Sequence, residues 1–320
     1  MKKVLVTYNV LREHYAELEE KYAVTFPEKG RYFKYDEVLA MISEYDALCP
    51  MFNFPVNKEL INRGVKLQIV ANYAVGFDNI DVTYAKEKGI VVANTPGPTT
   101  DPTANLAMAL LLDTALRVSE YDRFVRTIGG KRKLGLLENL GVHVTGATLG
   151  IIGMGRIGKA MCKRARAFGM DVVYHDRQRL DLNEETNIDA AYVTMNELLR
   201  ISDFVSVHAP YSSETYHLIG TDELKKMKPS AILINTARGP LVDEKALIEA
   251  LQEGVIRGAG LDVFECNDLP SPELLAMEQV VITPHVGTQT TASRIAMAKA
   301  VCNNVIGYFE NDRPVCRVLI

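Results

Sequence analysis

Residues 147–158 read Ala-Thr-Leu-Gly-Ile-Ile-Gly-Met-Gly-Arg-Ile-Gly, an apolar run that leads directly into a Gly-x-Gly-x-x-Gly motif. The three glycines of the motif are Gly153, Gly155 and Gly158. The first permits a tight turn, the second lets backbone approach a pyrophosphate, and the third lets a helix pack closely on the preceding strand. Residues 159–168 have a helical pattern, and residues 171–175 form the next apolar run. Strand, glycine turn, helix and strand in this order predict a dinucleotide site at a helix N-terminus.

The preferred nucleotide is indicated by Asp176, which ends the second of these strands. A carboxylate at that position accepts hydrogen bonds from the adenosine ribose and repels a 2′-phosphate, which favours NAD over NADP. Arg177 and Arg179 follow closely, and arginines in that loop can bind a phosphate through two parallel hydrogen bonds. We therefore predict NAD (NADH) as the cofactor and leave some tolerance of NADP open.

Short apolar runs alternate with helical patterns along the whole chain, which predicts an α/β fold with parallel sheets. The first hundred residues carry a second such series, expected to form a small doubly wound sheet of its own. Residues 94–102 separate the two series, because their three prolines cannot continue a helix or a central strand, and a long buried helix is expected from about Thr103. A helix expected over residues 288–308 returns to the first series. We therefore predict two doubly wound parallel-sheet domains around a cleft, formed by residues 1–98 with 288–320 and by residues 99–287.

Composition and charge exclude several classes of function. The 320 residues carry a formal net charge of −4, so the chain has no basic field for nucleic acid or an anionic membrane. No apolar run is long enough to span a bilayer. The five cysteines are odd in number and include no CxxC pair, and no His/Cys cluster has zinc-ligand spacing. We expect reduced thiols, no metal and a cytoplasmic location.

Two polar side chains follow later apolar strands, at the strand ends where doubly wound sheets bind ligands. Arg238 ends the run 231–237, and its planar guanidinium matches the two oxygens of a carboxylate. His285 stands just after another apolar run. Histidine exchanges protons near neutral pH, and a ketone that accepts hydride needs a proton to become an alcohol.

At these motifs the chain resembles the D-isomer-specific 2-hydroxyacid dehydrogenases, and the similarity runs nearly from end to end. It is carried by residues 73–81, 94–97, the glycine motif, and residues 235–243, 260–265 and 283–287. The resemblance implies a flavodoxin-like substrate domain, a Rossmann NAD domain, and interconversion of a small 2-keto acid and its D-2-hydroxy acid. The match is best with the glyoxylate/hydroxypyruvate reductase-like branch, which leaves the individual substrate open.

The resemblance also implies roles for particular residues. Arg238 would bind the substrate carboxylate and polarise the carbonyl, and His285 would be the acid/base. The backbone amides of Val75 and Gly76 would hold the carboxylate. The C2 substituent would face Met51 and Phe52, although packing in the core is an equally good interpretation of both. Nucleotide contacts are implied for Thr103, Arg156, Ile157, Pro210, Thr215, Thr236, Asp262 and Gly287.

One position departs from the family's pattern. A glutamate that hydrogen-bonds the catalytic histidine usually lies three residues after the aromatic residue of the Asp-Val-Phe motif, and Asn267 stands there instead. An amide oxygen can accept the imidazole N–H, but it lacks the charge that stabilises imidazolium. We therefore predict a working but weakened pair, with keto-acid reduction favoured at acid pH. Glu265 or Asp268 could substitute as the histidine's partner.

Two further expectations follow from the resemblance. The long helix and the loop at residues 126–137 would support a homodimer. The alternative to an enzyme is a nucleotide-sensing, corepressor-like binding protein with little turnover, which the missing glutamate slightly favours.

Overall fold

The computed structural model describes residues 1–9, 11–129, 134–266 and 269–318. The chain divides into two compact units, one made of Met1–Thr99 with Thr288–Ile320 and the other of Thr100–Gly287. Each unit contains one sheet whose strands are all parallel. The predicted α/β fold with two doubly wound parallel sheets is confirmed.

The sheet of the first unit has the strand order β2-β1-β3-β4-β5, which is the flavodoxin-like order. Its strands are β1 (Lys3–Val6), β2 (Ala23–Thr25), β3 (Ala47–Cys49), β4 (Ile69–Ala71) and β5 (Val91–Ala93). The helices of this unit are α1 (Ala16–Lys21), α2 (Tyr35–Met41), α3 (Lys58–Arg63), α4 (Val82–Glu87) and, from the end of the chain, α13 (Thr291–Asn311). One face of the sheet packs against α13 through Met297, Val301 and Val305, which are buried together with the inward side chains of β1, β3 and β4. The last helix is therefore part of the core that the first ninety residues begin.

The sheet of the second unit has seven strands in the order β12-β11-β10-β9-β6-β7-β8. All strands are parallel, but the sequence of strand addition switches to the other side of β6 at β9, so the strand order reverses between β6 and β9. Its strands are β6 (Thr148–Ile152), β7 (Asp171–His175), β8 (Ala191–Tyr192), β9 (Phe204–Val207), β10 (Ile232–Asn235), β11 (Gly258–Leu261) and β12 (Val280–Ile282). The helices are α5 (Thr100–Leu116), α6 (Val118–Ile128), α7 (Arg156–Ala167), α8 (Leu182–Ile188), α9 (Met195–Ile201), α10 (Thr221–Lys226), α11 (Glu244–Gln252) and α12 (Pro272–Leu275). This is the Rossmann order, in which ligands bind where the strand order reverses.

The long helix α5 starts earlier than the prolines suggested. It begins at Thr100, so Pro102 lies inside its first turn instead of in the boundary loop. Proline is tolerated there because the N–H groups of a first helical turn have no partner within the helix. Within the described residues, no helix combines the length and the apolar character needed to cross a membrane.

Candidate active site

The glycine turn between β6 and α7 has the geometry that each of its glycines requires. Gly153 has a φ of +94°, and a Cβ there would lie 2.6 Å from the amide nitrogen of Ala209, in the loop after β9. A Cβ on Gly158 would lie 2.2 Å from the carbonyl oxygen of Gly153, so the helix can approach the strand only with glycine at this position. Around Gly155, by contrast, a Cβ would meet nothing within 4 Å. The position where backbone should approach a pyrophosphate is therefore open.

Helix α7 begins at Arg156 with Gly155 as its N-cap, and no side chain caps it. The amides of Arg156 and Ile157 stand in the first turn, where N–H groups have no partner within the helix. Such groups, together with the helix dipole, favour an anion. The chain thus offers open space at Gly155 beside helix amides that no side chain caps, which is compatible with the pyrophosphate of a dinucleotide.

The residues expected to contact the adenosine half of the nucleotide follow β7 and β9. Asp176 follows β7 directly, and its Oδ2 accepts a hydrogen bond of 2.8 Å from the amide of Met154 in the glycine turn. In the loop after β9, the buried Thr215 donates a hydrogen bond of 2.9 Å to the carbonyl oxygen of Pro210. Because β6 separates β7 from β9 in the sheet, both loops lie at the point where the strand order reverses.

Thr236 and Thr103 are two further residues for which the family resemblance implies nucleotide contacts. Thr236, just after β10, is buried, and its Oγ1 has no hydrogen-bond partner among the described residues. Thr103 in α5 places its Oγ1 3.5 Å from the carbonyl oxygen of Gly287. A buried hydroxyl without a partner is costly, so the Thr236 site suits a ligand that supplies one. These residues fit an amide-bearing ring such as nicotinamide.

The loop that carries His285 is organised by Asp262. One carboxylate oxygen accepts hydrogen bonds from the Thr283 hydroxyl (2.6 Å) and the Val286 amide (2.8 Å), and the other accepts from the Gly287 amide (2.9 Å). Burial raises the pKa of Asp262 above its usual value, against the lowering effect of these hydrogen bonds. The amide of His285 donates to the Asp262 carbonyl oxygen at 2.9 Å. The side chain and backbone of Asp262 therefore hold the whole turn.

His285 itself has a φ of +52°, in the left-handed region that side chains rarely adopt. Such a conformation costs free energy and persists only where the surroundings impose it. Here the hydrogen bonds of Asp262 impose it, and the imidazole is exposed at the carboxyl end of the sheet.

Arg238 lies in a turn that is held close to the loop after β11. Its Nη1 donates to the Ala237 carbonyl oxygen at 2.7 Å, and the Asn235 side chain donates to the Arg238 carbonyl oxygen at 2.9 Å. A Cβ on Gly239 would lie 1.9 Å from the carbonyl oxygen of Phe264, so the two loops are in direct contact. Asn267 and Asp268 lie outside the described residues.

Glu265 has a partner that sequence reasoning missed, because His217 carried no motif. The Nε2 of His217 lies 2.6 Å from Glu265 Oε1, and its Nδ1 lies 3.6 Å from Asp243 Oδ2. Glu265 also accepts hydrogen bonds from the Tyr216 hydroxyl and the Glu244 amide. The ligand atoms of His217, Asp243 and Glu265 lie within 4.8 Å of one another, as a metal site would require. Both imidazole nitrogens already face carboxylates, however. We therefore interpret the cluster as a set of polar contacts that holds Glu265, directly after Phe264, in place.

A second histidine near the nucleotide loop is not suited to proton transfer. His208 follows β9, and its Nε2 lies 2.9 Å from the Ser206 hydroxyl. Burial lowers the pKa of His208 to about 4. The imidazole is therefore uncharged at neutral pH.

The loop after β4 in the first unit contains Val75 and Gly76. Their carbonyl oxygens accept hydrogen bonds of 2.8 Å from the side chains of Asn94 and Asn72, respectively. Neither amide, in the described parts of the chain, donates to another group of the protein. The carbonyls are held in place and neither N–H is used by the described residues, as binding of an anion by these amides would require. The two asparagines were not anticipated from the sequence.

The predicted C2-substituent residues differ in their environment. Met51 is 2% exposed and packs in the core of the first unit, whereas Phe52 is partly exposed and has a φ of +53°. The Arg294 guanidinium, from α13, lies 4.7 Å from the centre of the Phe52 ring. Core packing accounts for Met51, and Phe52 remains the better candidate for a contact with substrate.

Known proteins resemble this chain in both sequence and structure. Residues 108–287 match the profile of the NAD-binding domain of the D-isomer specific 2-hydroxyacid dehydrogenases. A glyoxylate reductase from Thermococcus litoralis is 45% identical over 98% of this chain and 95% of its own length. A crystal structure of a glyoxylate reductase from Paecilomyes thermophila is 33% identical with a TM-score of 0.89, and the match covers 99% of this chain and 98% of that one.

A further crystal structure is that of an NADPH-dependent glyoxylate/hydroxypyruvate reductase from Sinorhizobium meliloti, in complex with NADP and malonate. It is 30% identical with a TM-score of 0.85, and the match covers 99% of this chain and 96% of that one. The relatives match nearly the full length of the chain, and the profile matches residues 108–287 within it. This protein therefore belongs to the D-isomer specific 2-hydroxyacid dehydrogenase family, as an NAD(P)-dependent oxidoreductase that acts on the CH–OH group of 2-hydroxy acids.

Proposed function

We propose that this protein reduces a small 2-keto acid, of the size of glyoxylate or hydroxypyruvate, to the D-2-hydroxy acid with NADH. The second unit binds the dinucleotide and the first contributes the substrate loop. The observation that carries the proposal is the strained turn of His285, which three side-chain hydrogen bonds of Asp262 hold at the carboxyl end of the sheet. A protein that only binds a nucleotide has no need to maintain an exposed histidine in that conformation.

The dinucleotide is held by the glycine turn, the first-turn amides of α7, Asp176, and the threonines after β9 and β10. When bound, it supplies the hydride. Arg238 binds the substrate carboxylate through its guanidinium and withdraws charge from the carbonyl oxygen. His285 donates a proton to that oxygen and removes it in the reverse reaction. The amides of Val75 and Gly76 bind the same carboxylate, and Phe52 contacts the substituent at C2.

An assay of NADH oxidation with a series of 2-keto acids, from glyoxylate to phenylpyruvate, tests this proposal. We expect turnover with the smallest members, formation of the D-enantiomer where the product is chiral, and a loss of at least about a hundredfold in His285→Gln and Arg238→Gln. Tight NADH binding without turnover of any keto acid would instead favour the corepressor-like alternative. That alternative has no support among the relatives named above.

The protein is also proposed to be a cytoplasmic homodimer. Several large apolar residues in and around α6 are each 48–94% exposed, namely Leu116, Val118, Val125, Leu136, Leu137 and Leu140. A second copy would remove this surface from water. Light scattering coupled to gel filtration should give twice the mass of 35.5 kDa, and a monomer would contradict this part of the proposal.

A further inference from the structure

The loop between β7 and α8 carries two arginines that could bind the 2′-phosphate of NADP, and the structure treats them differently. Arg179 forms a two-point ion pair with Glu185, with Nε and Nη2 each 2.8 Å from a different carboxylate oxygen. This is the geometry in which arginine binds carboxylates most strongly. The guanidinium also lies 5.5 Å from the centre of the Tyr192 ring. The ion pair therefore neutralises the charge of Arg179 and occupies the Nε–Nη2 edge of its guanidinium, although the side chain is 53% exposed.

The side chain of Glu185 is only 9% exposed, so water solvates its carboxylate poorly and the ion pair with Arg179 is screened little. The Tyr174 hydroxyl donates to the same carboxylate at 2.7 Å and accepts a hydrogen bond of 2.9 Å from the Leu180 amide. Arg179 and Tyr174 together lower the pKa of Glu185 from 4.5 to about 2. Breaking the pair would leave a buried carboxylate without its counter-ion, which is costly.

Within the described residues, Arg177 has no such two-point partner. Its Nη1 lies 3.4 Å from Glu214 Oε2, and both side chains are about three-quarters exposed. Exposed pairs of this kind contribute little, since water and salt screen them. Arg177 can therefore turn to another anion at almost no cost, whereas Arg179 cannot.

We infer that Glu185 is a specificity-determining residue, which acts with Asp176 to favour NAD by holding Arg179 in an ion pair away from a 2′-phosphate. Asp176 repels the phosphate, and Glu185 withholds one of the two arginines that would bind it. The inference rests on the proposed use of NADH at this site and adds the residue that withholds Arg179. It also explains a limited tolerance of NADP, because Arg177 remains available.

This arrangement predicts that the two acidic residues act together. In Asp176→Ser the repulsion is lost, but Arg179 stays bound to Glu185, so only Arg177 meets the phosphate. In Glu185→Gln the released Arg179 can pair with the nearby Asp176 instead. Only the double variant frees Arg179 and removes the repulsion at once.

Fluorescence titration of the purified protein with NADH and with NADPH measures this without any substrate. We expect the ratio of Kd for NADPH to Kd for NADH to fall about tenfold in Asp176→Ser and less than about threefold in Glu185→Gln. In the double variant it should fall about fivefold or more beyond the product of the single effects. Adding Arg179→Ala to the double variant should abolish the extra gain. Glu214→Gln is the matched control, and it should change the ratio less than about twofold.

The possible outcomes distinguish a failure of the proposed function from a failure of the role inferred for Glu185. A wild-type protein that does not bind NADH would overturn the proposed function and this inference with it. NADH binding with merely multiplicative effects, or a gain that survives Arg179→Ala, would overturn the inference alone. If Glu185→Gln does not fold, Arg179→Gln in the Asp176→Ser background tests the same point, because glutamine can still donate a hydrogen bond to Glu185. Since Glu185 already withholds Arg179, this change should leave the ratio within about twofold, and a larger rise would equally contradict the inference.

Discussion

The substitution Asp262→Asn tests whether the carboxylate that holds the His285 turn matters for activity. Asparagine keeps one oxygen, which can still accept from the Thr283 hydroxyl and the Val286 amide. Its NH2 group would then face the Gly287 N–H, now 2.9 Å from the second carboxylate oxygen. One charge-assisted hydrogen bond is lost, and a buried donor is left unpaired.

The size of the effect follows from these contacts. A hydrogen bond to a charged group contributes about 1.5–3 kcal/mol, and an unpaired buried donor costs about 1–3 kcal/mol. Taking about 3 kcal/mol for the combined loss, the turn would hold His285 correctly in only a small fraction of molecules. Because each 1.4 kcal/mol is a factor of about ten, kcat/KM should fall by about a hundredfold.

Steady-state reduction of glyoxylate with NADH measures this loss, and thermal unfolding checks that the variant folds. Asp203→Asn is a suitable control, because this carboxylate lies at the opposite end of the same sheet, where it accepts from the Thr148 amide (2.9 Å) and from Lys228 (2.7 Å). The control should lose some stability but keep kcat/KM within about twofold. A folded Asp262→Asn that retains kcat/KM within about threefold would refute the reasoning.

Four further predictions concern the dependence on pH and the glycine turn. Asn267→Glu should keep keto-acid reduction active to a pH about one unit higher or more, because a carboxylate stabilises the protonated histidine; an unchanged pH–rate profile would contradict this. Since the pKa of Glu185 is lowered from 4.5 to about 2, its ionised pair stabilises the fold above pH 4.5 and loses that contribution as pH falls towards 2. Urea unfolding should therefore show Glu185→Gln less stable than wild type at pH 6, with a smaller difference at pH 3. Gly155→Ala should fold but bind NADH at least about tenfold more weakly, whereas Gly158→Ala should lose stability by about 1–3 kcal/mol, as calorimetry would show.

Much of the fold could be predicted because its signals are local. The apolar run before Gly153 and the helical pattern after Gly158 lie within twenty residues, and each has one physical interpretation. The start of α5 could not be read in the same way, because proline forbids a helix interior but not a first turn. Pro102 was therefore expected in a loop, although it lies in the first turn of α5.

The contacts that tune the site were much harder to predict than the motifs. His217 and Glu265 are 48 residues apart in sequence and meet only because the loops after β9 and β11 converge. Arg179 and Glu185 are close in sequence, yet the pair is informative only once the burial of the carboxylate is known. Side-chain partners of this kind leave no periodic signal, so the sequence indicated the reaction and not the interactions that adjust it.

The position of α13 also has a consequence for how the chain folds as it is made. Met297, Val301 and Val305 complete a core whose other half is the first sheet, more than two hundred residues earlier in the chain. While the ribosome is still adding the second unit, one apolar face of that sheet has no cover. The second unit, which is contiguous in sequence, can therefore fold as it emerges from the ribosome. The first unit can complete its core only after α13 has been made, so the two units fold in the reverse of their order of synthesis.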